Sequence, residues 1–396
     1  MKLRTLLAIA VIGAATPASA QELRIGFLNT LSGGLAALGR PQLNGWHLGL
    51  EHEGWKKNGD KLGGVPTTIF EADDQAKPDV GVAAAQKFIQ QDKVQLIVGI
   101  VPSNVLVPVF KIAMDAKVGI IGTNAGTSLI AGASCNPLFI STSWQGDQPA
   151  EAVGKMITQD KIKTIVLLAP NYQGGKDLIS GVKRGMADDV KILDTILFKL
   201  GNSDFQAEIS KVRADRPEAI FVFAPGAMGV SFVKQWHAAG ANREIKLYSA
   251  HTIDWVTLPA IGDAGIGAKE AIQWLPDLKN PVNEKFVKDY IAKFGSTPSN
   301  FAEQSYEAAR LIAATVKGAN GNVNDVPALM KNMRRASFPS ARGPFKYNVN
   351  GFPIQSFYKS EVVKGTDGKP TIVNGGVIVA DARDSYWQEC PANMRH

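Results

Sequence analysis

Few polar residues in this sequence have the types and spacing that catalysis requires. Segment 29–40 contains Ser32 and three glycines directly after an apolar run, but it lacks the glycine spacing of a dinucleotide-binding loop and the lysine of a nucleotide triphosphate loop. A tight glycine turn before a helix can still bring main-chain N–H groups close to a ligand. The segment therefore predicts binding rather than catalysis, with Ser32 as a candidate contact.

Other polar clusters are also weak candidates for an active site. His47, Glu51 and His52 are close in sequence without the spacing of a metalloprotease motif, and Asp73 and Asp74 are best interpreted as residues that solvate a loop or cap a helix. No Gly-x-Ser-x-Gly segment occurs, and no nucleophile has a recognisable base. A hydrolase stays an alternative, but we expect a protein that is not an enzyme and that needs no cofactor or metal.

His251 is the one histidine that we expect near a ligand. It follows a predicted strand at 246–249 directly. In open α/β sheets, ligands bind outside the carboxyl ends of the strands, which is where this loop would lie. Simple surface exposure of His251 is the alternative.

The elements that position these residues alternate between short β-branched strands and longer amphipathic helices. This alternation is typical of a parallel sheet covered by helices, and it restarts after about residue 148. The predicted strands are 23–28, 67–71, 94–99, 118–122, 164–169, 190–198, 219–224, 246–249 and 271–275. The fold class is therefore α/β, with two doubly wound lobes.

The last third of the sequence departs from this alternation. Helices predicted at 282–294, 302–317 and 326–335 follow one another without strands, so we expect them to pack on a lobe that is already formed. From Pro344 to the end, alternating segments with glycines in the turns predict β-hairpins.

Composition indicates an exported globular protein. The chain has 396 residues, of which 45% are hydrophobic and 20% charged, and residues 1–20 combine basic residues, a short apolar core and Ala18-Ser-Ala. This pattern predicts a signal peptide that is cleaved after Ala20, and hence a periplasmic location. The formal net charge of +7 is spread along the chain without a basic run, which argues against nucleic acid as a partner.

Two cysteines, Cys135 and Cys390, lie far apart in the sequence. In an exported chain we expect them to form a disulfide that ties the C-terminal tail to the middle of the chain. Two free buried thiols are the alternative.

The sequence resembles the branched-chain-amino-acid type of periplasmic solute-binding protein, the receptor of an ABC importer. The resemblance covers nearly the whole chain after residue 20, and it depends on the order and spacing of short segments rather than on any one of them. These segments are Arg24-Ile-Gly-Phe, Leu31-Ser-Gly-Gly, Val98-Gly, Pro102-Ser-Asn, Gly119-Ile-Ile-Gly, Thr123-Asn-Ala-Gly-Thr, Asp147-Gln, Asn171-Tyr-Gln-Gly, Gln304-Ser-Tyr-Glu-Ala and Arg342-Gly-Pro-Phe.

The resemblance implies a type I periplasmic binding fold and a monomer that delivers its ligand to a membrane permease and ATPase. The implied first lobe contains 21–142 plus 275–342, and the second contains 143–274 plus 343–396. A hinge of three chain crossings, near 141–144, 250–273 and 338–345, would close the lobes over the ligand. A periplasmic sensor that acts on a regulator is an alternative to a transport receptor.

The resemblance also implies the residues that bind the ligand. In the first lobe, hydroxyl and main-chain N–H donors would hold a carboxylate without a buried counter-charge. In the second lobe, two loops would close over the other end of the ligand. The implied residues are Pro102, Ser103, Asn124, Ala125, Gly126 and Thr127 from the first lobe, and Tyr172, Pro225 and Gly226 from the second.

One departure from the family pattern bears on the ligand. Amino-acid binders of this type place an acidic residue near position 251 to meet the ammonium group, whereas this chain has His251, with Asp254 as a possible replacement. Trp144 and Gln145 lie where an aromatic ring could stack on a flat ligand. We therefore expect an aromatic or other organic acid, with a branched-chain or other amino acid as the alternative.

Overall fold

The computed structural model describes residues Gln21 to Arg395. They form two β-sheets, each covered by helices. The predicted signal peptide, residues 1–20, lies outside the described residues. In the described part of the chain, no helix is long and apolar enough to cross a membrane.

The first sheet has six strands in the order β2-β3-β1-β4-β5-β6, and all pairs are parallel except β2 with β3. Its strands are β1 (Leu23–Asn29), β2 (Lys61–Leu62), β3 (Val65–Asp73), β4 (Leu96–Gly99), β5 (Gly119–Gly122) and β6 (Phe139–Ser141). The helices between them are α1 (Ala36–His52), α2 (Pro78–Gln90), α3 (Ser103–Asp115) and α4 (Ser128–Ala131).

The second sheet has eight strands in the order β12-β13-β11-β10-β9-β7-β8, and β14 pairs with β13. Its strands are β7 (Thr164–Pro170), β8 (Lys191–Phe198), β9 (Ala219–Val222), β10 (Lys246–Ser249), β11 (Lys269–Ile272), β12 (Lys346–Tyr347), β13 (Pro353–Lys364) and β14 (Pro370–Ala382). The associated helices are α5 (Gln148–Gln159), α6 (Gln173–Gly185), α7 (Gln206–Asp215), α8 (Ala227–Ala238) and α9 (Leu258–Ile261).

Each sheet is buried on both faces because side chains alternate along a strand. In β4, Leu96 and Val98 join one apolar cluster, whereas Ile97 joins the cluster on the opposite face. In β7, Val166 and Leu167 divide between two clusters in the same way. This two-sided burial is the doubly wound arrangement that the sequence predicts.

The remaining helices are α10 (Pro281–Phe294), α11 (Asn300–Gly318) and α12 (Val326–Arg335). They follow the second sheet in sequence, yet residues of α11 and α12 share an apolar cluster with β1 and β4 of the first sheet. They therefore pack on the lobe that forms first along the chain, as expected.

Three segments, 142–147, 273–280 and 336–345, connect the elements of the two sheets. Arg342 in the third segment is buried and donates to Glu303 of α11, to the main chain of the first segment at Ser143, and to Gln355 of β13. One guanidinium therefore holds together the parts of the chain at the junction. The lobe boundaries of 21–142 plus 275–342 and 143–274 plus 343–396 stay a prediction.

The first helix differs from the sequence prediction. The apolar spacing predicts a helix that begins at about Pro41, whereas α1 begins at Ala36 and contains Pro41 in its interior. A proline there removes one intrahelical hydrogen bond. The helix tolerates this loss because its buried face packs along α11, where Gly45 and Gly49 bring the two backbones close together.

Cys135 and Cys390 form a disulfide in this structure, with their Cα atoms 5.5 Å apart. Cys135 follows α4 of the first sheet, and Cys390 lies in the tail that follows β14 of the second. The bond therefore fastens the C-terminal tail across the junction between the two sheets.

Candidate functional site

A small cavity of about 40 Å³ lies between the two sheets, at the carboxyl ends of their strands. Ligands of doubly wound folds bind at this position. The lining residues come from both lobes and from the junction: Leu35, Leu38, Val101, Pro102, Ser103, Asn124, Ala125, Gly126, Trp144, Gly146, Tyr172, Gly174, Asp177, Leu178, Phe223, Pro225, His251 and Phe301.

The first lobe lines the cavity with uncharged polar groups. Ser103 is the first residue of α3, and no side chain in the described structure caps this helix, so its first main-chain N–H groups remain available. In the loop after β5, Asn124 donates its side-chain Nδ2 to the carbonyl of Val101, while its buried Oδ1 has no hydrogen-bond partner among residues 21–395. The Ser103 hydroxyl and the first main-chain N–H groups of α3 thus lie at one wall, beside the unpaired amide oxygen of Asn124.

Aromatic side chains form much of the remaining wall. Trp144 stacks on His251 with ring centroids 4.0 Å apart and an interplanar angle of 15°, and Phe301 meets the indole edge-on. On the second lobe, Tyr172 stacks on Phe223. Flat rings on these sides favour a flat ligand between them.

His251 is held in an unusual state. Its backbone has φ +53°, and its buried Nδ1 and Nε2 have no hydrogen-bond partner in the described part of the chain. Burial lowers the pKa of this imidazole to about 3, because charging it would require desolvating the cation. The side chain is therefore neutral at physiological pH, with one donor and one acceptor.

Glu270 positions the loop that carries His251. Its Oε1 accepts from the main-chain N–H groups of Thr252 and Ile253 at 3.0 and 2.9 Å, and from the hydroxyl of Ser249. Glu270 is fully enclosed in β11, and burial raises its pKa to about 7. These bonds fix the main chain after His251 and the side chain of Ser249 before it, whereas the side chain of His251 stays free for the cavity.

Asp177 of α6 joins the two lobes at the edge of the cavity. It accepts from the hydroxyl and the main-chain N–H of Ser128 in α4, at 2.6 and 3.1 Å, and from Gln173 at 2.8 Å. Burial raises the pKa of Asp177. Ser128 lies on a helix of the first sheet and Asp177 on a helix of the second, so this contact crosses between the two.

A protein-family model described as "periplasmic binding protein" matches residues 22–368. The chain belongs to the periplasmic binding protein family. The predicted family and the predicted fold of two doubly wound lobes are confirmed.

Solved structures and curated relatives agree with this assignment. A solute-binding protein of an R. palustris ABC transporter, in complex with benzoate, is 31% identical, covers 92% of this chain and 99% of its own, and superposes with a TM-score of 0.85. A counterpart from Rhodopseudomonas palustris BisB5, in complex with 3,4-dihydroxybenzoic acid, is 27% identical, with the same coverage and TM-score. A Brucella melitensis protein named "Leu/Ile/Val-binding protein homolog 6" is 24% identical over 93% of this chain and 95% of its own length.

The structure brings most of the predicted site residues of this binding protein into one place. Nine of them line the cavity: Pro102, Ser103, Asn124, Ala125, Gly126, Trp144, Tyr172, Pro225 and His251. They come from six separate loops, which is the arrangement that the strand order predicts for the mouth of a doubly wound sheet.

Four predicted site residues lie outside the cavity lining. Ser32 lies at the loop held by Asp73, Thr127 caps α4 by accepting from Leu129, and the buried Gln145 donates to Asp147. Gly226 faces the main chain of Gly34 from the other lobe. Each lies beside the ligand loops and shapes them rather than facing the cavity in this structure.

Several cavity residues could not be identified from the sequence. Leu35, Leu38, Leu178, Phe223 and Phe301 are apolar, so in the sequence they look like any other core residue. Asp177 gives no signal either, since an acidic residue within a predicted helix is usually solvated. Only its contact with Ser128 across the junction reveals its position.

Two further observations restrict the chemistry of this binding site, and a third restricts its shape. Asp254, the acid that might replace the missing ammonium partner, accepts from the main chain at Val256 and Thr257 and does not line the cavity. Within residues 21–395, no group of three His, Cys, Asp or Glu side chains could hold a metal ion. Gly126 also lies so close to Trp144 that a Cβ atom at position 126 would overlap the Trp144 carbonyl.

Proposed function

We propose that this solute-binding protein is a periplasmic receptor that captures a small aromatic carboxylic acid between its lobes and delivers it to an ABC importer. The arrangement of the cavity carries the proposal: uncharged donors at Ser103 and the Asn124–Gly126 loop face an aromatic wall built around Trp144 and His251. The donors suit a carboxylate, and the flat rings suit an aromatic ring.

The chemistry at position 251 also favours an acid over an amino acid. An ammonium group buried beside a neutral imidazole would lack a negative partner, and this is costly. The two Rhodopseudomonas structures support the same ligand class, because both proteins hold benzoate-type acids and both resemble this chain over 92% of its length.

An amino-acid ligand is the second candidate, and Asp177 is the observation that favours it. Its carboxylate lines the cavity, so it could pair with an ammonium group. However, both of its oxygens already accept hydrogen bonds from Ser128 or Gln173, and these bonds would have to be shared. Some relatives are named for the binding of leucine, isoleucine and valine, so the binding test includes amino acids.

Calorimetry on protein stripped of bound solute by unfolding and refolding tests the proposal. We expect benzoate or a hydroxybenzoate to bind and leucine and valine not to bind. Ser103→Ala should weaken binding of the acid, because a buried hydrogen bond to a charged group contributes about 1.5 to 3 kcal/mol. Ser210→Ala, at an exposed serine of α7, is the matched control and should leave the affinity unchanged. Tight binding of leucine without any aromatic acid would contradict the proposal.

A transport role and a sensory role would use the same capture step. Closure needs ligand contacts to both lobes, and the closed protein would then dock on the permease as a monomer. Uptake of labelled acid, measured in cells with and without the gene, separates the two roles, since a sensor would leave uptake by the transporter itself intact.

A further inference from the structure

His251 combines two unfavourable features at the wall of the ligand cavity. A residue other than glycine with φ +53° is strained, and a buried imidazole without partners has lost its hydrogen bonds to water. Strain and unsatisfied polar groups of this kind concentrate at ligand sites. The loss of hydrogen bonds to water without a replacement is unfavourable, so the unpaired nitrogens at the cavity wall point to a bond that His251 makes with the ligand.

The surroundings of His251 determine which atoms can make that bond. Trp144 covers one face of the imidazole, and Phe301 lies 6.2 Å away between ring centroids. Glu270 bonds to Thr252 and Ile253, and not to His251 itself. The two nitrogen atoms at the edge of the ring are therefore the groups that remain for a ligand.

The proposed carboxylate end of the ligand has its own donors on the other lobe, at Ser103 and the Asn124–Gly126 loop. What faces His251 is then the ring of the acid. A neutral imidazole offers one N–H donor and one acceptor nitrogen. A phenolic hydroxyl can accept from the N–H or donate to the acceptor nitrogen, so it can satisfy one of the two ring nitrogens, whereas a bare ring edge would leave both unsatisfied.

We infer that His251 recognises a hydroxyl group on the ligand ring, so that the preferred ligands are hydroxylated aromatic acids rather than benzoate itself. This inference rests on the proposed function, because it assumes that an aromatic acid occupies the cavity. It names the ligand class more narrowly and assigns the discrimination to one side chain.

The test compares benzoate, 3-hydroxybenzoate and 4-hydroxybenzoate by calorimetry on stripped protein. The wild type should bind at least one hydroxybenzoate roughly 10- to 100-fold more tightly than benzoate, since a site with paired polar groups rejects the analogue that lacks the hydroxyl. In His251→Phe, which keeps a ring against Trp144, the ratio of hydroxybenzoate affinity to benzoate affinity should fall below about threefold. His237→Phe, at an exposed histidine of α8, is the control and should keep the preference.

A second variant keeps the test decisive if phenylalanine is not tolerated at this backbone angle. His251→Asn fits the left-handed region and still carries one donor group and one acceptor, so part of the preference should survive. Equal wild-type affinities for all three acids, or a preference that persists unchanged in His251→Phe, would overturn the inference. Binding of leucine alone would instead overturn the proposed function, so the two failures are distinguishable.

Discussion

The position of His251 depends on Glu270, the residue that holds its loop. Glu270 accepts from Ser249, Thr252 and Ile253, which lie on both sides of His251 in the chain. It does this with a carboxyl group in a fully buried position, where burial disfavours the charged form. Glu270 is therefore a positioning residue for the ligand wall, and its protonation is coupled to folding.

Because the protonation of Glu270 is coupled to folding, the free energy of unfolding should depend on pH. The pKa of Glu270 is raised from 4.5 to about 7 in the native state. The native protein therefore binds this proton more tightly than the unfolded chain, and the resulting stability is present at low pH and lost as pH rises through 7. The free energy of unfolding of the wild type should fall between pH 5 and pH 7.5 by more than that of Glu270→Gln, by a difference on the order of 3 kcal/mol.

Urea denaturation of both proteins at pH 5, 6 and 7.5 measures this difference. Other buried acids such as Asp147, whose pKa burial raises to about 6, are present in both proteins and cancel in the comparison. Parallel pH profiles for wild type and Glu270→Gln would show that Glu270 does not titrate in this window.

At this scale, sequence reasoning succeeds where a residue follows a strand in a recognisable segment. Ser103, Asn124 and Tyr172 were predicted in this way, and all three line the cavity. Glu270 could not be found, because a single glutamate in a short strand gives no signal of the loop that it holds. Phe301 was missed for a similar reason, since an apolar residue at the start of a helix looks like part of the core.

Among the elements, α4 and α6 meet across the two sheets, so a separation of the lobes would break their contact. α4 belongs to the first lobe and presents Ser128, and α6 belongs to the second lobe and presents Asp177. The contact lies at the edge of the cavity, so it can form only when the lobes are close. It should therefore stabilise the closed form and slow ligand release.

Ser128→Ala tests this role without changing a residue that lines the cavity. The variant loses the hydroxyl donor to Asp177, and a hydrogen bond to a charged group contributes about 1.5 to 3 kcal/mol. The ligand should then bind roughly 10- to 150-fold more weakly, mainly because it dissociates faster. Stopped-flow measurement of dissociation checks this, with Ser210→Ala as the control, and an unchanged dissociation rate would argue against the contact as a latch.

Helices and longer strands were predicted well because their apolar periodicity is strong. α12 was predicted at 326–335 and is observed at Val326–Arg335. The short strands β2 and β6 were not predicted, since two or three residues carry no periodicity and form strands only because a neighbour pairs with them. An element can therefore be predicted from the local sequence only when it is long enough to show an apolar periodicity.

For the whole molecule, the disulfide is the longest-range covalent constraint. Cys135 and Cys390 are separated by 255 positions, so the bond closes a loop that includes most of the second lobe. Such a bond restricts the unfolded chain far more than the folded one.

Replacing both cysteines with serine should therefore lower the free energy of unfolding by about 2 to 5 kcal/mol. Guanidinium denaturation of the Cys135→Ser, Cys390→Ser double variant, compared with the oxidised wild type, measures the loss. Wild type reduced after unfolding serves as the control and should match the variant. An unchanged midpoint in the double variant would show that the bond contributes no stability.

The two-lobed architecture followed from the restart of the strand and helix alternation, whereas the crossings between lobes were harder to place. The second crossing was predicted at 250–273, and the segment that joins β11 to α10 lies at 273–280. The sequence pattern marks where an element ends, but not which sheet the next element joins. That choice depends on contacts between residues far apart in the chain, such as those that place α11 against α1.

Gly126 has a consequence for how the receptor could change its ligand. Because its Cα lies against the main chain of Trp144, any side chain there would displace the indole and the imidazole stacked on it. The Asn124–Gly126 loop and the side chain of Trp144 are therefore coupled, so neither can be substituted freely without affecting the other. Substitutions at Tyr172 and Phe223, on the opposite side of the cavity, can change the ligand specificity more easily. The size of the side chain can vary there while the residues that bind the acid group stay the same.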